Sequence, residues 1–224
     1  MKRRLALSLS AALSFAAACG DSGTDPNGGT KPTATLVLVM AVPEDVLVRI
    51  AHGARFYMQS GAVSGQIAVP SGNVRVSLAA GPTLIGTVRI VTFEAGRHYI
   101  LVATDSTGVV VPWIYGDSNA TPVAGKSKLR VIHAAGLAPP VDIWRTQPDW
   151  PTPIRIMFPF PFGAMSPYLL SDPGDWSIVV TPEGQTDTLF ATGSFTVGDG
   201  KLVTVVVMDS TATGGVSAIV IPDN

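Results

Sequence analysis

From Thr35 onward the apolar residues fall in short runs rich in Val, Ile and Thr, cut by clusters of Gly, Pro, Asn and Asp roughly every eight to twelve residues. A run that short buries one strand, and a breaker at that spacing turns the chain before a helix can propagate. The pattern predicts strands over 35–42, 46–51, 64–69, 73–79, 84–93, 98–104 and 109–114 in the first half. In the second half it predicts 128–134, 141–145, 153–158, 165–170, 176–181, 188–195, 202–208 and 216–221. No helix is expected after the N-terminal segment. Only 14% of residues are charged, while Gly and Pro number 23 and 18, so solvated helices and coiled coils are excluded. With a formal net charge of -1 and no basic run beyond the first four residues, a nucleic-acid partner is excluded as well.

The two halves echo one another. GNVRVSL at 72–78 aligns with GDWSIVV at 174–180, and GRHYILVATDST at 96–107 with GKLVTVVVMDST at 200–211. Offsets of 102 and 104 over separate blocks indicate an internal duplication, with the break at Gly116 to Lys128. Each unit suits an immunoglobulin-like or transthyretin-like sandwich. A membrane β-barrel fits less well, since most runs are shorter than the roughly 9–11 residues of a spanning strand. The expected organisation is a signal peptide at 1–18, a tether at 19–34, a first sandwich at 35–118, a linker at 119–127 and a second sandwich at 128–224.

The start, MKRRLALSLSAALSFAAAC, places Lys2, Arg3 and Arg4 before an apolar stretch from Leu5 to Ala17. That stretch is too short to span a bilayer, which needs about 20 residues. A basic start, a short apolar region and small residues before the cut are the parts of a secretory signal. Ala16, Ala17 and Ala18 run into Cys19, the only cysteine, and here the sequence resembles bacterial lipoprotein signal peptides. The resemblance implies cleavage before Cys19 and acylation of its thiol and amino group, with the membrane as partner through those acyl chains. Several chains anchor stably, since each buried methylene contributes about 0.8 kcal/mol. No disulfide can form within the chain. The tether, Gly20 to Ala34, is rich in Gly, Asp, Thr and Pro and has a reach of roughly 20 Å. Removal of the signal leaves 12 basic residues against 16 acidic ones.

In the second unit, KLRVIHAAGLAPPVDIW at 128–144 carries Arg130, Val131, Ile132, His133, Ala134, Ala138, Pro139, Val141 and Asp142. FGAMSPYLLSDPGDWSIVV at 162–180 carries Phe162, Gly163, Ser166, Tyr168, Pro173 and Gly174. Together they resemble the bacterial domain of unknown function 4397 over about residues 126–221. The first unit, reading VLVMAVPEDVLVRI at 37–50, lacks the His-Ala element. The resemblance implies an exported protein of repeated domains with no established enzymatic activity.

If strands 128–134 and 141–145 form a hairpin, His133 faces Asp142 on one side of the sheet. That pair is expected to fix the hairpin, unless the loop crosses between sheets and separates the two, and it is also the acid/base element of the alternative reading, a hydrolase of envelope polymers. GDS occurs at 20–22 and 116–118, but no histidine follows His133 to serve such a nucleophile. No GxSxG, HExxH or cluster of metal ligands is present, and Asp105, Asp117, Asp199 and Asp209 lack the spacing of a calcium loop. No cofactor or metal is expected. QPDWPTPIRIMFPFPFG, 147–163, packs five prolines among Trp150, Phe158, Phe160 and Phe162. Proline removes ladder donors, so FPFPF is expected off any central strand, as a stiff aromatic loop that either docks a partner or closes the core. The sequence therefore reads as a non-enzymatic, lipid-anchored envelope protein that binds, adheres or scaffolds. Its expected partners are an envelope protein or polysaccharide.

Overall fold

The structure, a computed structural model, describes residues 32–223 apart from 52, 81–85, 118–120 and 211–214. The signal segment, Cys19 and most of the tether lie outside the described residues. Among the described residues there are strands and no helix. The first half supplies β1 (Thr33–Ala41), β2 (Val46–Ile50), β3 (Ala54–Met58), β4 (Ile67–Pro70), β5 (Gly72–Ala80), β6 (Val88–Phe93), β7 (His98–Ser106) and β8 (Val109–Asp117). The second supplies β9 (Ser127–His133), β10 (Val141–Thr146), β11 (Ile154–Phe160), β12 (Leu169–Ser171), β13 (Gly174–Pro182), β14 (Phe190–Ala191), β15 (Phe195–Val197), β16 (Leu202–Asp209) and β17 (Val216–Asp223).

The strands form two tandem β-sandwiches of matching topology. In the first, the sheet β4-β1-β7-β8 faces β3-β2-β5-β6; in the second, β12-β9-β16-β17 faces β11-β10-β13-β14, with β15 also on β13. Each sandwich contains one parallel pair, β1 with β7 and β9 with β16. Strand alternation explains the cores. Leu36, Leu38 and Met40 of β1 meet Val46, Val48, Val74 and Val76 inside the first sandwich. Leu129 and Val131 of β9 meet Ile143, Trp176 and Ile178 inside the second.

The opposite faces of β1, β7, β9 and β16 are buried too. Val39, Ala41, Ile100 and Val102 share a third apolar cluster with Ile132, Ala134, Val206, Met208 and Ile221. The sheets β4-β1-β7-β8 and β12-β9-β16-β17 therefore pack on each other as the two middle layers, leaving the β2 and β10 sheets outermost. Strands buried on both faces read as near-continuous apolar runs, which is why TLVLVMA and LVTVVVM show no alternation while VLVRI and NVRVSL do.

The duplication extends to backbone detail. Gly61, Gly72 and Gly96 take positive φ in the first sandwich, and Gly163, Gly174 and Gly200 do so in the second. A matched clip holds each unit. Ser64 N donates to Leu38 O (2.9 Å) and Leu38 N to Ser64 Oγ (2.8 Å); Ser166 N donates to Val131 O (2.9 Å) and Val131 N to Ser166 Oγ (2.9 Å).

Candidate functional site

The charged groups that folding buries lie mostly where the sandwiches meet. Arg130 of β9, only 1% exposed, pairs with Asp117 at the end of β8 (3.1 Å) and donates from Nε to Thr204 Oγ1 (2.8 Å). Its guanidinium carbon sits 4.4 Å from the Tyr168 ring centre, and Tyr168 Oη donates to Asp117 (3.0 Å). Arg130 and Tyr168 thus close a network across the two units. A buried pair so enclosed fixes the geometry of the groups around it. Beside it an open cleft of about 320 Å³ is lined by His98, Asp117, Ser64, Gln66, Ile221 and Pro222. Asp209 at the end of β16 is buried and accepts Gly136 N (2.8 Å) and Leu137 N (3.3 Å). Burial pushes its carboxyl up from the ordinary value, Asp105 pushes the same way, and the two amides partly offset this.

The segment between His133 and Asp142 is not a hairpin, which corrects the expected pair. β9 belongs to a middle layer and β10 to an outer one, so residues 134–140 cross between sheets. Asp142 accepts from Arg155 (3.2 Å) and from Gly184 N (3.1 Å). His133 is fully buried, its Nδ1 accepts Ala135 N (3.3 Å), and its ring stacks near Phe160 with centroids 6.1 Å apart. Burial holds its imidazole below the ordinary value, partly offset by the Pro139 carbonyl. The two side chains are not hydrogen bonded, and the hydrolase alternative loses its acid/base pair.

Nor does the Pro-rich segment form one aromatic loop. Residues 154–160 are strand β11 at a sheet edge, the position that tolerates Pro159. Phe160 is core at 4% exposure, and Trp150 meets Trp176 edge to face at 5.3 Å. Phe162 meets Trp113 of the first sandwich at 5.6 Å. Phe158 alone of the four is exposed, at 58%. Among the described residues no three His, Cys, Asp or Glu side chains gather to hold a metal.

The outward face of the β3-β2-β5-β6 sheet carries residues that strand reading left out. Arg49 and Arg55 sit directly opposite each other, Leu47 opposite Tyr57, and Arg75 opposite Ile90. These arginines are exposed. Tyr57 (79%) and Ile90 (74%) are among the chain's most exposed large apolar side chains. Part of the signal was present in the sequence: VLVRI and NVRV each place one arginine on the polar side of an alternating strand, whereas ARFYM shows its arginine there only once β2 pairs with it. The matching sheet of the second sandwich uses its cations internally. Arg155 pairs with Asp142 and lies 4.2 Å from the Phe158 ring centre, while Arg145 lies 5.0 Å from that of Trp176 and donates to Ser171 Oγ.

Residues 34–144 match the family model of domain of unknown function 4397, DUF4397. This part of the chain belongs to the DUF4397 family. The DUF4397 match runs from β1 into β10, so it takes in the whole first sandwich and the Arg130 to Asp142 motif that opens the second. The match thus takes in the unit without the His-Ala element and stops at residue 144, short of the 162–180 block on which the resemblance over 126–221 also rests. No curated protein matches the chain. Similar solved structures include the TIE protein of Bacillus anthracis, at 10% identity over 85% of this chain and 44% of that one, TM-score 0.28. The chain thus spans under half of that protein. Another is a candidate cell-adhesion protein of Bacteroides uniformis, at 11% identity over 89% of this chain and 99% of that one, TM-score 0.28. A third is the tip fimbrial protein Mfa3 of Porphyromonas gingivalis, at 10% identity over 84% and 99%, TM-score 0.22. At those scores the likeness carries no functional argument for this chain.

Proposed function

We propose that the protein is a lipid-anchored component of the bacterial cell envelope that acts by binding or adhesion, without catalysis. Cleavage after residue 18 frees Cys19 for acylation, residues 19–34 tether the body, and two sandwiches at 35–118 and 128–224 present their outer sheets. The observation that carries the binding role is the outward face of the β3-β2-β5-β6 sheet, where exposed arginines and large apolar side chains stand together. Buried Arg130, Asp117 and Asp142, by contrast, are engaged with other protein groups. Enzymes keep perturbed titratable groups accessible in a cleft, whereas His133 and Asp209 are held inside.

Anchoring and binding are tested in the same cells. Labelled palmitate should enter the wild-type chain and be absent from Cys19→Ser, which should leave the membrane fraction. Beads coated with the full-length chain should be retained by envelope preparations. Equal retention of beads carrying an unrelated sandwich protein would remove the binding reading.

A further inference from the structure

Strands β2, β3, β5 and β6 carry four arginines, Arg49, Arg55, Arg75 and Arg89, and no acidic residue. The first sandwich, 35–118, carries five arginines and five acidic residues, so four of its five cations are segregated onto one sheet. Among the described residues Arg49, Arg55 and Arg75 make no ion pair, ring contact or side-chain hydrogen bond. Directly opposed like charges on a sheet are destabilising, and an anion held between two guanidiniums relieves that repulsion while using their fork geometry. Next along the same face, Leu47, Ala79 and Tyr57 line an open groove of about 280 Å³, with Gln59 and Asp45 at its polar end. Asp45 accepts Ser60 N (3.2 Å) and stands about 13 Å along the strand from Arg49.

We propose that this face binds an acidic polysaccharide, a chain bearing carboxylate, sulfate or phosphate groups on sugar rings. The reading rests on the binding role argued above and names its ligand class. The Arg49–Arg55 pair takes the acidic substituent. The Tyr57 ring and the Leu47–Ala79 floor take the apolar face of a neighbouring sugar. Asp45 and Gln59 accept or donate to hydroxyls at the far end. A groove with an apolar floor and hydroxyl-binding groups at one end suits a polyhydroxylated chain better than an anionic lipid surface, whose flat face does not enter a groove.

The test uses the purified full-length chain carrying Cys19→Ser, in detergent-free buffer, titrated with polygalacturonate, with uncharged dextran and with phosphatidylglycerol vesicles. Polygalacturonate should bind, dextran should not, and added salt should weaken binding. Arg49→Gln with Arg55→Gln should lower affinity about tenfold or more, and Tyr57→Ala should lower it further. Arg97→Gln, which alters only an exposed pair with Glu94, should leave affinity unchanged. Circular dichroism melts of the variants control for folding, since exposed arginines facing each other are not needed for the core.

Wild-type affinity in the double variant, or an equal loss in Arg97→Gln, would overturn the site. Binding to the vesicles through Arg49 and Arg55 without binding to polygalacturonate would assign the face to a membrane and overturn the ligand. If beads carrying the double variant are still retained by envelope preparations, this site falls and the binding role stands. If wild-type beads are not retained, the role itself falls.

Discussion

At the scale of single residues, Arg130 on β9 reaches across the joint to Asp117 at the end of β8. Arg130 opens a motif, yet it is buried against Asp117, Thr204 and Tyr168. Arg130→Ala removes the cation beside a buried carboxylate, so it should cost about 3–5 kcal/mol in a urea titration. Loss below 1 kcal/mol would show the pair to be solvated. His133 gives a second prediction. Its folded imidazole takes a proton only below the ordinary value of 6.5, because burial disfavours the charge, whereas the unfolded chain takes one at that value. The unfolded state therefore binds more protons as pH falls through 6.5, and stability falls with it. Urea midpoints measured from pH 7 to pH 5 should drop, and His133→Gln should flatten the drop. An unchanged slope in that variant would place the titration elsewhere. Asp142 shows why the pair was misread: residues equally placed about a short turn look opposed in sequence, and only the sheet assignment of β9 and β10 separates them.

At the scale of elements, the strands were legible because period and breakers agree. Most runs of alternating or continuous Val and Ile became strands, and the edge position of β11 follows from Pro159. β3, Ala54–Met58, was not legible. ARFYM has two polar-to-apolar steps and no Gly or Pro after it until Gly61, so it reads as a loop until β2 pairs with it. The continuous runs in β1 and β16 carried the further information that both faces are covered, which alternation alone does not reveal. The serine clips were also written in the chain, as GAVSG at 61–65 and GAMSP at 163–167, a third repeated block whose offset is again 102. Their depth differs, and so should their energetics. Ser166 is 2% exposed and serves a buried amide, whereas Ser64 is partly open. Ser166→Ala strands Val131 N and should cost about 1–3 kcal/mol, with Ser64→Ala costing less, because water can replace the lost hydroxyl only at the open site. Equal losses in denaturant titrations would mean that burial does not set the cost.

At the scale of the whole molecule, the duplication produces more than two beads on a string. Lys31–Asn224 forms one compact unit, and the middle sheets of the two sandwiches bury Val39, Val102, Ile132 and Val206 between them. Apolar area contributes roughly 25 cal/mol per Å² when buried. Exposing such a cluster when one sandwich unfolds would therefore penalise the half-folded state by several kcal/mol. The Arg130–Asp117 pair adds to that coupling, since its partners come from β9 and β8. The full-length chain should accordingly melt in one transition, with calorimetric and van't Hoff enthalpies equal. Val206 offers a way to cut the coupling alone. It lies on the face of β16 opposite Val203, Val205 and Val207, which serve the second core. Val206→Asp places a charge in the joint that is solvated only if the middle sheets part, while both inner cores keep their side chains. That variant should melt in two transitions, each enthalpy about half the total. Two transitions in the wild type would mean that the joint does not couple the sandwiches. One transition in Val206→Asp, at an unchanged midpoint, would mean that residue 206 is not within it.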